Sequence, residues 1–238
     1  MPLHQIRPQR KLNAQSLVLQ NMATTTIENY VKAIFFAEQE APNCPVPMGI
    51  ISKALGVVPG TATTMVKAMA KEKLLEYKPR VGAKLTNKGT KLAIRMIRRH
   101  RLIEVFLVEV LKLDWGEIHE DAEELEHVVS DRILEKIDEL CNYPEFDPHG
   151  DPIPSADGTF KPLKHKSLMD CPTKRKLTIQ RVLDQEAAFL KFAMDNGLTP
   201  GSTIEVLERN PIAEAITVNL PSGQLSLGAK VAEKILVA

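Results

Sequence analysis

The chain has 238 residues, 44% of them hydrophobic and 26% charged, with a formal net charge of +1. That is long for one small domain and apolar enough for a sizeable core, which excludes a disordered or fibrous chain. No apolar run approaches the ~20 residues of a membrane span: the longest candidate, residues 105–113, is broken by Glu109 and Lys112, and the first residues lack the apolar core of a secretory leader.

The small net charge hides an uneven distribution. Residues 52–84 carry seven Lys or Arg against two Glu, whereas residues 114–147 carry thirteen acids against two bases. A basic segment followed by an acidic one is the footprint of polyanion binding beside cation binding, although solvated faces produce charge runs too. Cys44, Cys141 and Cys171 are far apart and form no C-x-x-C pair. A zinc knuckle or redox motif is therefore unsupported, and reduced thiols in a cytoplasmic protein are expected.

In chain order, residues 1–21 read as a disordered tail or a mis-assigned start, because Met22 stands just before the first periodic segment. Residues 25–40 predict a helix with Ile27, Tyr30, Val31, Ile34 and Phe35 on one stripe, ended by the Pro-rich stretch from Pro42 to Pro47. Residues 48–55 and 61–73 predict two short helices around Gly56-Val57-Val58-Pro59-Gly60, the layout of a helix-turn-helix. Residues 74–86 predict two strands around a basic, Gly-containing turn, which makes a winged helix. Thr86 suits the N-cap of a helix reaching about residue 111. Another helix opens at Asp114 or Trp115 and runs to about residue 140, and a loop rich in Pro, Asp, Gly and His fills residues 141–171. Beyond Pro172, a strand (177–183), a helix (185–196) and strands at 203–207, 215–220 and 224–227 predict a small SH3-like β-barrel.

The expected class is mainly α with small β elements. Its parts are a winged helix-turn-helix DNA-binding domain (22–86), a helical dimerisation and metal-binding domain (87–146), a linker (147–171) and the SH3-like domain (172–238). The second helix of a helix-turn-helix enters the major groove N-terminal end first. Here that end carries Gly60, Thr61, Thr63 and Thr64, with Lys67 one turn on; Lys78, Arg80 and Lys84 on the wing, with Lys71 and Lys73, would contact phosphates. The alternative is a helical bundle with a solvated basic face.

The long helices carry a second constellation. Ile118, Ala122, Leu125, Val129, Ile133, Ile137 and Leu140 form an apolar stripe. Beside it lie His119, Glu123, Glu126 and His127 at helical offsets, while His100 and Glu104 sit one turn apart on the preceding helix. His and carboxylates converging from packed helices is how bundles build metal sites, and imidazole plus carboxylate without thiolate suits Mn²⁺, Fe²⁺ or Zn²⁺. A lone H-x3-E pair on an acidic helix is usually a surface feature; two such helices together argue for a site.

Several motifs resemble the family that includes the diphtheria toxin repressor, the iron-dependent regulators and the manganese transport regulators. They are Thr26-Ile27-Glu28-Asn29-Tyr30, the run Gly82 to Gly89, Arg99-His100-Arg101-Leu102-Ile103-Glu104, the run Glu123 to Ser130, and Asp147-Pro148-His149-Gly150-Asp151-Pro152-Ile153-Pro154. The resemblance runs from about Thr25 to Ile235. It implies an SH3-like (FeoA-like) C-terminal domain, a homodimer on palindromic double-stranded operator DNA, and two metal sites per subunit. The primary site would use Asn29, Glu123, Glu126 and His127; the ancillary site would use His100, Glu104 and His119, with Asp184 as the candidate from the C-terminal domain. Iron-type members place a Cys where this chain has Glu123, which favours Mn²⁺, with Fe²⁺ next. Asn29 stands where the family usually has Met or Asp and brings no charge. The function expected is metal-dependent transcriptional regulation, as a repressor of metal-uptake genes and not as an enzyme. The competing readings are a metal-independent winged-helix regulator and a metal-dependent hydrolase.

Overall fold

A computed structural model describes residues 14–161 and 165–238. The chain divides into two compact units, meeting between Ile94 and Arg95.

In the first unit, α1 (Ala14–Glu40) already includes residues 14–21, which the sequence reading had left to a tail. That stretch holds no Gly or Pro and is rich in Leu, Gln and Ala, so nothing in it stops a helix. The rest of the expected tail, residues 1–13, lies outside the described residues. Tyr30, Val31, Ile34 and Phe35 are buried as their stripe predicts. The helix-turn-helix is α2 (Met48–Ala54) and α3 (Pro59–Lys71). α3 starts two residues before the expected Thr61, because Pro59 supplies a preset φ and lacks only an N–H that a first helical turn leaves unbonded.

The wing is β1 (Leu75–Lys78) paired antiparallel with β2 (Gly82–Leu85), in the register Leu75↔Leu85 and Lys78↔Gly82. A bridge from Val46 to Ala83 extends it, with both backbone hydrogen bonds made. Gly82 permits that approach: a Cβ there would meet the Val46 carbonyl oxygen at 2.4 Å. Thr86 caps α4 (Asn87–Glu109), its Oγ1 accepting from the Gly89 amide at 3.3 Å.

In the second unit the single helix expected over 114–140 is two helices, α5 (Ile118–Val128) and α6 (Asp131–Leu140). Val129 turns to extended dihedrals and Ser130 caps α6, accepting from the Ile133 amide. Arg99 of α4 holds the break. Its guanidinium donates to the Glu126 and Val129 carbonyls, orphaned at the end of α5, and to Asp131 at the start of α6. The stripe consequently splits: Ile118, Ala122 and Ile137 are buried with Leu102, Ile103 and Leu107 of α4, while Ile133 and Leu140 are exposed.

The C-terminal part is an SH3-like antiparallel sheet of six strands ordered β3-β8-β4-β5-β6-β7. These are β3 (Lys166–Ser167), β4 (Lys176–Val182), β5 (Thr203–Asn210), β6 (Ala215–Leu220), β7 (Gly223–Gly228) and β8 (Ile235–Val237). α7 (Ala187–Asp195) follows β4, and α8 (Ala229–Ala232) precedes β8. β3 and β8 escaped the sequence reading because two or three residues are too few to show alternation. Trp115, just before α5, is buried in the sheet's core beside Leu190, Val182 and Ile179. No described helix is long and apolar enough to cross a membrane.

Candidate metal centre and nucleic-acid interface

On the first unit, Gly60, Thr61, Thr64 and Lys67 are exposed and Thr63 is half-buried, along the N-terminal half of α3. The Thr63 and Thr64 hydroxyls donate to the Pro59 and Gly60 carbonyls one turn back. They therefore offer acceptor lone pairs and methyl groups outward. Lys78, Arg80 and Lys84 are exposed on the wing, with Arg80 at its tip in a left-handed conformation, φ 63°. The Asn29 Oδ1 on α1 is buried without a hydrogen-bond partner.

In the second unit, three groups of side chains offer ligand atoms that lie within 4.8 Å of one another: His100, His119 and Glu123; Glu123, Glu126 and His127; and Glu104, Asp147 and His149. They form one connected network. His100 lies between two carboxylates, with Nδ1 at 2.7 Å from Glu126 Oε2 and Nε2 at 3.0 Å from Glu104 Oε1. A neutral ring can donate to only one of them. Glu104 Oε1 also lies 3.5 Å from His119 Nδ1, and its Oε2 is 3.8 Å from His149 Nδ1. His119 Nε2 approaches Glu123 Oε1 at 3.8 Å, and His127 Nε2 approaches Glu126 Oε1 at 3.6 Å.

Glu104, Glu126 and His149 are wholly inaccessible to solvent, and Asp147 is 5% exposed. Burial works to raise the Glu104 carboxyl, but the hydrogen bond with His100 and the nearby imidazoles of His119 and His149 together outweigh it and hold it well below the usual carboxylate range. Burial, then the charges of Asp151 and Glu104, push Asp147 up to about 7. His149 is lowered by burial but raised more by Glu104 and Asp147, and ends above its ordinary value. Glu104 and Asp147 are thus displaced in opposite directions within one buried cluster of crowded charge. Buried polar atoms left without a hydrogen-bond partner include Glu104 Oε2, Asp147 Oδ2, His119 Nδ1 and His149 Nδ1. Buried charge of that density is costly unless a cation or protons offset it. The donor set of imidazole and carboxylate fits a divalent cation of the Mn²⁺, Fe²⁺ or Zn²⁺ kind.

The expected ancillary residues His100, Glu104 and His119 lie together, Glu104 Oε1 facing both imidazoles. His100 and His119 also gather with Glu123, and the other oxygen of Glu104 faces His149 in the group that includes Asp147. Asp184 joins none of the three groups: its carboxylate pairs with Lys234 and accepts from the Glu186 amide at 3.0 Å. It is one wall of an open cleft of about 750 Å³ that His119 also lines. Asp147 and His149 were legible as part of a motif but not as ligands, because nothing local says a loop forty residues beyond α4 returns to it.

Residues 22–83 match the family described as "Iron dependent repressor, N-terminal DNA binding domain", residues 86–155 "Iron dependent repressor, metal binding and dimerisation domain", and residues 166–238 "FeoA domain". A solved "Manganese-dependent transcriptional repressor complex with manganese" superposes with a TM-score of 0.79 at 34% identity, covering 89% of this chain and 99% of that one. The chain belongs to the diphtheria toxin repressor family. The "Uncharacterized HTH-type transcriptional regulator MJ0568" of Methanocaldococcus jannaschii is 36% identical over 112 residues, 47% of this chain and 89% of that protein. The "Iron-dependent repressor IdeR" of Mycobacterium tuberculosis is 34% identical over 135 residues, 56% of this chain and 57% of that protein.

The three matched segments follow the structure of this family member closely. The break at 83–86 falls in β2, at the end of the wing and just before the cap of α4, and the 155–166 gap covers the loop before β3. The ligand network lies on α4, on α5 and in the loop after α6, all inside or at the edge of the segment matched as metal-binding.

Proposed function

We propose that this protein is a metal-activated, DNA-binding transcriptional repressor that works in the cytoplasm as a homodimer on a palindromic operator and acts on metal-uptake genes. The observation that carries the metal part is the buried network joining Glu126, His100, Glu104 and His149, which crowds carboxylate oxygens and imidazole nitrogens together out of solvent. Two cations per subunit are proposed. The first would be held by Glu123, Glu126 and His127. The second would be held by Glu104, Asp147 and His149, with His100 and His119 lying where either could recruit them. When bound, the metal supplies positive charge among these groups; the residues themselves hold the geometry of α4 against α5.

Mn²⁺ is favoured and Fe²⁺ is next, since every donor is a hard oxygen or an imidazole and none is a thiolate. The solved relative described as manganese-dependent supports that order, while the iron-dependent relative keeps Fe²⁺ in play. Dimerisation is supported by Val128, Ile133 and Leu140, which α5 and α6 leave 75%, 54% and 63% exposed. DNA binding would use Gly60, Thr61, Thr63, Thr64 and Lys67 in the major groove and Lys78, Arg80 and Lys84 on phosphates. A hydrolase would need an open coordination position facing a substrate cleft, and the complete burial of Glu104, Asp147 and His149 argues against one.

The test is a fluorescence-anisotropy titration of the protein's own promoter DNA at fixed salt, in chelator and then with Mn²⁺, anaerobic Fe²⁺ and Zn²⁺ at matched free concentrations. Binding that requires Mn²⁺ or Fe²⁺ and is lost in Glu126→Ala supports the reading. Binding indifferent to metal would leave a metal-independent winged-helix regulator in its place.

A further inference from the structure

The loop that brings Asp147 and His149 to Glu104 does not stand by itself. Asp147 Oδ1 accepts from the amides of His149 and Asp151, both at 2.9 Å, and the Asp147 amide donates to the Asp151 carbonyl. This closes a tight turn whose far end is the Asp151 carboxylate, 2% exposed. Three side chains from three segments converge on that carboxylate. Arg101 Nη2 of α4 donates to Oδ1 at 3.0 Å, Arg181 Nη2 of β4 lies 2.5 Å from the same oxygen, and Gln185 Nε2 donates to Oδ2 at 3.2 Å. Arg101 also donates to the Pro152 carbonyl at 2.5 Å, and its Nε lies 3.5 Å from Asp147 Oδ2.

The backbone repeats the arrangement. The Val182 amide of β4 donates to the His149 carbonyl at 2.9 Å. Gly150, at φ +87°, lies against β4 so closely that a Cβ would meet the Gln180 carbonyl oxygen at 1.9 Å. On its other side the His149 ring stacks on Trp115, with centroids 5.2 Å apart, and its Nε2 donates to the Trp115 carbonyl at 3.1 Å. In the neutral ring that places the proton on Nε2 and leaves Nδ1, the atom facing Glu104, as the lone pair.

We propose that Asp151 is a positioning residue for the Glu104–Asp147–His149 site: gripped by Arg101, Arg181 and Gln185, it couples the order of that site to the seating of the SH3-like sheet against the helices. The inference rests on the metal reading above and deepens it. The sheet contributes no atom to the three-residue cluster, yet Arg181 of β4 and Gln185, just beyond the end of that strand, are two of the three side chains that hold the cluster's loop. The coupling is reciprocal, as any linkage of two binding events must be: metal in the cluster tightens the seating of the sheet, and loosening the sheet weakens the metal. Outer partners of metal ligands commonly govern affinity by about 10- to 100-fold without touching the metal.

The test uses the full chain and Mn²⁺ alone. Equivalents bound and their affinities are read by the electron paramagnetic resonance of free Mn²⁺. The emission of Trp115, the chain's single tryptophan, reports on His149. Hydrogen exchange at the Val182 amide reports on the seating of the sheet. Wild type is expected to bind two equivalents, with Trp115 emission and Val182 protection both following the second. Asp151→Asn is expected to keep the first equivalent at wild-type affinity and to lose roughly tenfold or more at the second. Its Trp115 response should move to correspondingly higher Mn²⁺, and metal should no longer slow exchange at Val182. Arg181→Gln, on a side chain 27% exposed, should move the same readouts in the same direction by a smaller factor, and it stands in should Asp151→Asn not fold.

A folded variant that binds the second equivalent as wild type does, with an unchanged Trp115 response, overturns the proposal and leaves the two-site reading intact. A wild type that binds one equivalent, with Trp115 indifferent to Mn²⁺, overturns both.

Discussion

The two units handle charge in opposite ways. In the first, the residues proposed for function stand in water: Thr61, Thr64, Lys67, Lys78, Arg80 and Lys84 are all exposed, on a helix end and a hairpin. In the second, Arg99, His100, Arg101, Glu104, Glu126, Asp147, His149 and Asp151 are all buried. Solvent screens the first set, so each of its members acts almost independently and contributes little to stability. The second set has exchanged water for its own partners, so removing one member leaves the others uncompensated. A surface that must meet changing DNA can be built from weakly coupled charges, whereas a centre meant to respond to one cation needs strongly coupled ones.

The sharpest way to break this contrast is Arg101→Met. It should destabilise the second unit by about 3–5 kcal/mol, because Asp147 would stay buried without its guanidinium and Asp151 would lose one of its two. A urea melt showing a loss below 1 kcal/mol would mean the buried network is far less coupled than its geometry implies. Next in size, His149→Ala should weaken one Mn²⁺ equivalent and His127→Ala the other, each by at least about tenfold. Calorimetric titration checks this, and two variants that damage the same equivalent would merge the two sites into one.

On the exposed side, Arg80→Ala and Lys78→Ala should each leave the melt within about 0.5 kcal/mol of wild type. Each should weaken operator and random DNA alike and lower the salt slope of binding by about 1. Discrimination lost along with affinity would place the wing on base edges instead.

Glu38 gives the smallest effect and lies between the extremes. Its carboxylate is half-buried and accepts from the Leu85 amide at 2.7 Å. Burial raises its pKa more than that bond and Lys84 lower it. A carboxyl raised in the folded state favours folding when protonated, and that advantage is lost as pH climbs through its folded value. Glu38→Gln keeps the accepting oxygen and removes the charge. It should therefore be more stable than wild type at pH 7 by a few tenths of a kcal/mol, the gap closing below about pH 4. Melts of the two proteins at both pH values check the sign.

The first unit was nearly all legible in advance. The stripe of α1, the turn at Gly56 and the hairpin around Pro79 and Arg80 each rest on interactions within a few residues, and the wing formed at the expected place. Only the Val46–Ala83 bridge, which joins residues 37 positions apart, was hidden. In the second unit the same rules went wrong at Val129 and Ser130. The apolar period continues through them, but Arg99 reaches across from α4 to satisfy the carbonyls exposed by a break. At Asp184 the ion pair with Lys234, fifty residues away, is likewise beyond any local pattern.

The sequence by itself determined most of the elements, the family and the half of the candidate metal centre carried on α5, where Glu123, Glu126 and His127 are neighbours because a helix repeats every 3.6 residues. Only the tertiary structure decided that Glu104 turns to Asp147 and His149, that Trp115 sets the His149 ring, and that Asp151 is gripped from the helices and the sheet at once. Those contacts join segments 30 to 51 residues apart. Their distances are set by how the apolar faces of separate elements pack, and no local period encodes that.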